Sequence, residues 1–139
     1  MKKIYAVIDT NVIVSGFLTK NSSSPTASVL EYLTQGLIIP LYCTDIIKEY
    51  RDVLHREKFN LPEEKINWIM KLILSDGISS SRISSDVSLP DPKDVVFYEV
   101  ALSKDDSYLV TGNVKHFPKV NFVVTPAEII EIIEKNKDL

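Results

Sequence analysis

Four oxygen-bearing side chains, Asp9, Glu49, Asp94 and Asn113, fall at the ends or borders of secondary-structure elements. Asp9 abruptly ends the apolar run Ile4-Tyr5-Ala6-Val7-Ile8, and Asn113 follows the run Ser107–Thr111, with Gly112 expected to let the chain turn sharply between them. Asp94 falls in the first turn of an apolar helix opened by Asp91-Pro92, and Glu49 borders the apolar stripe of another helix. If the strands beginning at Ile4 and Ser107 are neighbours, Asp9 and Asn113 emerge together at their carboxyl ends, where open α/β sheets hold ligands. The turn carrying Asp94 faces the same rim. Three carboxylates in one cleft repel each other, and without a cation some must take up protons. An all-oxygen donor set selects a hard ion, Mg²⁺ or Mn²⁺, and no paired His and Cys argue for zinc. Water carried by such an ion can become the nucleophile toward a phosphodiester.

Each of these residues also has a simpler job open to it. Asp9-Thr10-Asn11 can merely stop a strand and cap a helix. Asp91 is well placed as an N-cap and Asp94 as its reciprocal partner three residues on. Glu49 can be a solvated boundary residue. Asp45, Asp52, Asp105 and Asp106 read as surface or turn residues, and His55 and His116 as surface residues. There is no Gly-rich phosphate loop and no Ser-centred elbow.

The elements that would position the acids follow from apolar spacing. Ile4–Ile8 lacks polar alternation, as a strand buried on both faces does. A polar loop, Asn21 to Pro25, precedes a helix over Thr26–Gln35 that Gly36 stops. Leu37–Cys43 reads as a strand, with Pro40 suggesting an irregularity or an edge. Thr44 caps a helix to about Arg56, with Ile46, Ile47, Tyr50, Val53 and Leu54 on its apolar face. A further helix from Pro62 or Glu63 to Leu74 completes a helical hairpin, whose flank with Phe59 and Trp68 reads as core, with a surface for dimerisation or a partner protein as the alternative. Ile78–Val87 is serine-rich and reads as a weak edge strand and loop. Phe122–Val124 is a short strand. Thr125-Pro126-Ala127-Glu128 is a capping box for a last helix, with Lys135 and Lys137 near its end. Helices alternating with short apolar strands, without hairpin signals, predict a three-layer α/β/α sandwich on a mainly parallel sheet of about five strands.

The 139 residues suit a single domain, 1–139, and the 45% hydrophobic and 25% charged content is ordinary for a globular protein. No apolar run is long enough for a membrane span, and the start, Met1-Lys2-Lys3 and the strand behind it, is too short and polar for a signal peptide. The lone Cys43 cannot form an internal disulfide and is expected in the core of a cytoplasmic protein. A net charge of −3 argues against tight binding of a long duplex but not against a nucleic-acid enzyme.

In order, Asp9-Thr10-Asn11-Val12, then Ser15, Glu49-Tyr50, Asp91-Pro92-Lys93-Asp94 and the run Tyr108–Asn113 resemble the motifs of PIN-domain ribonucleases. The resemblance is to the VapC-like toxins of toxin–antitoxin pairs, and it spans Ile4–Phe117. It implies a metal-dependent endoribonuclease cleaving single-stranded RNA, with Asp9, Glu49 and Asp94 as the Mg²⁺ or Mn²⁺ ligands. It assigns Thr10, Asn11, Ser15 and Thr111 to holding those acids by hydrogen bonds. Asn113 departs from the family's usual aspartate, keeping a carbonyl oxygen but losing the charge, and would orient a water. Lys20, Lys93 and Lys115 are candidates for holding the RNA backbone. The resemblance also implies a homodimer and an antitoxin partner. Two other functions stay open: an RNA-binding scaffold of weak or no activity, and a nuclease acting on DNA.

Overall fold

The computed structural model describes residues 2–137, apart from the side chain of Lys137, so the ends of the expected 1–139 domain (Met1, Asp138 and Leu139) and the Lys137 contact lie outside the described residues. In chain order the elements are β1 (Ile4–Ile8), α1 (Thr10–Leu18), α2 (Pro25–Thr34), β2 (Ile38–Tyr42), α3 (Thr44–Leu54), α4 (Glu63–Asp76), β3 (Ile78–Ser79), α5 (Val95–Ala101), β4 (Tyr108–Val110), β5 (Val123–Val124) and α6 (Pro126–Lys137). The strands form one five-stranded sheet in the order β3-β2-β1-β4-β5, and every neighbouring pair is parallel. The α/β fold read from the sequence is therefore the observed one. No helix among the described residues is long and apolar enough to cross a membrane.

β1 lies at the centre because its side chains tolerate no water on either face. Ala6, Val7 and Ile8 are all fully buried, and consecutive residues of a strand point to opposite faces. Helices α1, α2 and α6 pack as one group and α3, α4 and α5 as another, and the groups touch where α1 meets α3. The α1–α2 approach depends on Gly16, where a Cβ would stand 2.6 Å from the Leu30 side chain and 2.9 Å from the Thr26 carbonyl. Gly36, at φ 76°, makes the left-handed turn from α2 into β2.

Several local expectations change on contact with the structure. β2 is interior, not an edge, yet Pro40 is accommodated for the reason proline favours edges. Leu37 O accepts from Ile4 N, and Tyr42 O from Ser80 N, so by alternation Pro40 turns its nitrogen toward β3. β3 pairs only with Leu41 and Tyr42, so Pro40 is paired with Ala6 of β1 and with no residue of β3. Gly112 does not use the left-handed region, and a Cβ there would meet Asn11 Oδ1 at an ordinary 3.5 Å. Cys43 is half-buried, against the edge of the core. Trp68 is 43% exposed and packs edge-on against Phe17, so it is a surface residue, and Phe59 is half-buried.

Candidate active site

β1 and β4 are neighbours, with Ile8 opposite Val110, so Asp9 and Thr111 leave the sheet side by side. Asp9 precedes α1, but its carboxylate makes no capping bond to that helix. It is 5% exposed, and its Oδ2 accepts from the Thr111 hydroxyl at 2.7 Å and from the Asn11 amide at 3.3 Å. Asn11 Oδ1 in turn accepts from Gly112 N at 3.3 Å, and Thr111 Oγ1 accepts from Asn113 N at 3.0 Å. These bonds stitch the end of β1 to the turn after β4. They aim one charged oxygen pair outward from the sheet without neutralising it.

Tyr50, buried on α3, donates its hydroxyl to the Ile8 carbonyl, fixing α3 against the end of β1. Glu49, one residue earlier and half-exposed, thereby borders the same cleft. Asp94 ends a 3-10 turn, Pro92–Asp94, that leads into α5. The Asp91 carboxylate accepts from Lys93 N at 3.0 Å, so Asp91 is the cap the sequence suggested. Asp94 makes no reciprocal capping bond, and its carboxylate is left to the cleft.

Asp9, Glu49, Asp94 and Asn113 all line one cleft of about 660 Å³, with Thr10, Asn11 and Ser15. Burial raises the pKa of Asp9 above its ordinary value, against the Thr111 hydroxyl and the N–H groups of Asn11 and Thr10, and Glu49 adds to the rise. Asp94 is pushed up to about 6, by burial first, then by the charges of Asp9 and Asp91, with His116 opposing and Glu49 adding a little. Carboxylates raised by burial and then by neighbouring carboxylates would be relieved by a cation bound among them.

A hydrated hard cation fits these residues. The donors are oxygens, and Thr10 Oγ1 is buried without a hydrogen-bond partner among the described residues, on the wall of the same cleft. An orphaned buried hydroxyl is a place for a ligand or its water. No three His, Cys, Asp or Glu side chains among the described residues stand close enough to cage a bare ion. Mg²⁺ in particular keeps several waters and needs only one or two direct carboxylates.

The supporting residues divide. The Asn11 and Thr111 side chains bond Asp9, whereas the Thr10 and Ser15 hydroxyls line the cleft without a hydrogen bond to an acid among the described residues. The three lysines are not on its lining. Lys93 borders an adjacent groove with Lys48 and Arg82, Lys115 borders a pocket beside β5, and Lys20 lies in the loop after α1. The basic side chains on the lining are Arg56 and His116. His116 is exposed, as expected, but it faces Asp94. Its position in the turn that begins at Asn113 was the available signal. Phe59, Leu18 and Phe97 supply an apolar wall.

No curated protein and no solved structure matches this chain. The sequence model of the PIN domain matches residues 5–115, from the second residue of β1 to the turn behind the acidic cleft. That match covers most of the chain and every residue of the cleft but His116, so the chain belongs to the PIN-domain family.

Proposed function

We propose that this protein is a Mg²⁺- or Mn²⁺-dependent endoribonuclease that cleaves single-stranded RNA by water attack. PIN domains are typically nucleases and generally use divalent metals. The observation that carries the reading is the open cleft at the carboxyl ends of parallel strands, lined by buried Asp9, by Asp94 and Glu49, and by a Thr10 hydroxyl without a hydrogen-bond partner among the described residues. Asp9 and Asp94 would hold the cation, with Glu49 reaching it directly or through water. A bound cation there neutralises phosphate charge and lowers the pKa of a water. Thr111 and Asn11 keep Asp9 in its rotamer, and Asn113, at the rim, would orient a water. Arg56 would supply positive charge for a phosphate, and His116 a ring nitrogen for a hydrogen bond. The same proposal makes the protein the cytoplasmic toxin of a toxin–antitoxin pair, a homodimer silenced by an antitoxin, and this part rests on the family resemblance alone.

Mixed-sequence single-stranded RNA incubated with the protein should be cut in Mn²⁺ and left whole in EDTA, leaving 5′-phosphate and 3′-hydroxyl ends. Cyclic 2′,3′-phosphate ends would exclude attack by water, and preferential cutting of single-stranded DNA would move the substrate to DNA.

Asn113 favours a second reading, a scaffold that binds RNA and cuts it slowly or not at all. Its side chain carries no charge and makes no hydrogen bond among the described residues, so it adds little to the cation's hold. Asn113→Asp would add a fourth acid at the same rim. Mn²⁺ should then bind about tenfold tighter by calorimetry, since ligand charge count tunes such sites. The metal-free variant should melt lower than wild type, because the added charge faces Asp9. Unchanged Mn²⁺ affinity would place position 113 outside the ion's reach.

A further inference from the structure

We propose that the connection between α3 and α4 is the edge that holds single-stranded RNA beside the acidic cleft, with Phe59 stacking one unpaired base and Arg56 taking an adjacent phosphate. The inference rests on the ribonuclease reading and names how its substrate is gripped. Both residues line the cleft that holds Asp9, Glu49 and Asp94. Arg56 is exposed and forms no ion pair among the described residues, in a cleft otherwise dominated by carboxylates. A cation in that position, without an ion-pair partner among the described residues, suits a phosphate brought in by the substrate. Phe59 is half-buried, with apolar Val14, Leu18 and Val53 on the same wall. A ring fixed by its packing and still open to a cleft is a stacking platform, and every base has a π-face to offer it.

The connection is held in shape without RNA. His55, the last residue before it, sets Nδ1 2.6 Å from the Arg51 carbonyl and Nε2 2.9 Å from the Glu63 carboxylate, which ties the end of α3 to the start of α4. Between them runs a 3-10 turn, Glu57–Phe59, in which Phe59 N donates to the Arg56 carbonyl at 3.1 Å. Asn60, left-handed at φ 46°, closes it by donating N–H to Glu57 O at 3.0 Å. The ammonium of Lys58 lies over the Phe59 ring, 5.0 Å from its centroid, and swings aside to the phosphate when a base stacks on that face. Such a pre-formed edge does not have to be ordered on binding. It also selects strandedness, because a paired base inside a helical stack has no free face for Phe59.

Binding of short labelled RNA to the full chain tests this, with Ca²⁺ in place of Mn²⁺ to fill an oxygen site without supporting turnover. A single abasic position is walked along the strand. One position should weaken wild-type binding about tenfold. Phe59→Leu should weaken binding of intact RNA by a similar factor and erase the abasic effect, and Phe59→Trp should keep both. Arg56→Gln should reduce the slope of log affinity against log salt by about 0.7. An abasic effect that survives Phe59→Leu, or a salt slope unchanged by Arg56→Gln, overturns the assignment. Mn²⁺-dependent cleavage by wild type in the same preparation separates the two levels. Cutting without any dependence on Phe59 and Arg56 removes this inference alone, and a wild type that neither binds nor cuts RNA removes the ribonuclease reading with it.

Discussion

Asp9→Asn should lower Mn²⁺-dependent RNA cleavage by about 10²–10³-fold, the usual scale for losing one electrostatic contact in a preorganised site, while raising the stability of the metal-free protein by about 1 kcal/mol. The two effects have one cause. The Asp9 carboxylate is buried and holds its charge at a cost, with the Thr111 and Asn11 side chains and nearby backbone N–H groups as its partners and no cationic side chain bonded to it among the described residues. An amide of the same shape keeps an oxygen for Thr111 and sheds the charge. The pH dependence has a definite sign. Folding raises the pKa of Asp9 and takes that of Asp94 from 3.8 to about 6, so the folded protein binds protons more tightly at both sites than the unfolded chain does. These two groups therefore favour folding at low pH, and that contribution is lost as pH rises through the folded pKa of Asp94, about 6. Melting curves of the metal-free wild type should rise as pH falls from about 7 toward 5, and Asp9→Asn should flatten that rise. A variant that melts below wild type at neutral pH would mean that the Asp9 charge is already compensated within the protein.

The sheet and its acids were legible because they rest on local signals. The unbroken apolar run before Asp9 reads as a strand covered on both faces, which it is, and the stripe Ile46, Ile47, Tyr50, Val53, Leu54 is the buried face of α3 residue for residue. Glu49 sits on the border of that stripe because the helical step puts it there. What escaped was anything decided by groups far apart in sequence. The three lysines were expected near the mouth of the cleft, and Lys93 and Lys115 border neighbouring pockets. Arg56 reaches the cleft because the α3–α4 connection folds back toward it, which no periodicity reveals. Pro40 could not be resolved from sequence, since its fit depends on how short β3 is. Glu99 is the clearest case. It lies inside the apolar run Val95–Ala101, and its partner Arg82 stands 17 residues earlier in a serine-rich stretch without pattern.

That pair gives the largest expected effect on stability. The Glu99 side chain is 9% exposed, and its Oε1 accepts from Arg82 Nε at 2.9 Å and from a second guanidinium nitrogen at 2.7 Å. Its Oε2 accepts from Ser85 N at 2.8 Å, and Arg82 also reaches Asp45 on α3 at 3.0 Å. One carboxylate therefore clamps the irregular segment between β3 and α5 to α5 itself, while Arg82 ties it to α3. Glu99→Ala should cost about 2 kcal/mol by chemical denaturation, because it strands the Ser85 N–H and removes both guanidinium bonds. Arg82→Ala should cost less, about 1 kcal/mol, since that side chain is 40% exposed and its removal leaves Glu99 its bond from Ser85. The double variant should cost less than the sum of the two. Here the pH sign is opposite to that of the cleft. The Arg82 contact, then the Ser85 N–H, hold Glu99 below its ordinary 4.5, so its stabilisation is complete above that value and is lost as pH falls through the folded pKa. The clamped segment runs directly into Asp91, whose cap sets the turn that carries Asp94. Glu99→Ala should therefore also weaken Mn²⁺ binding in protein that remains folded, whereas equal costs for both single variants with unchanged Mn²⁺ affinity would reduce the clamp to an ordinary surface ion pair.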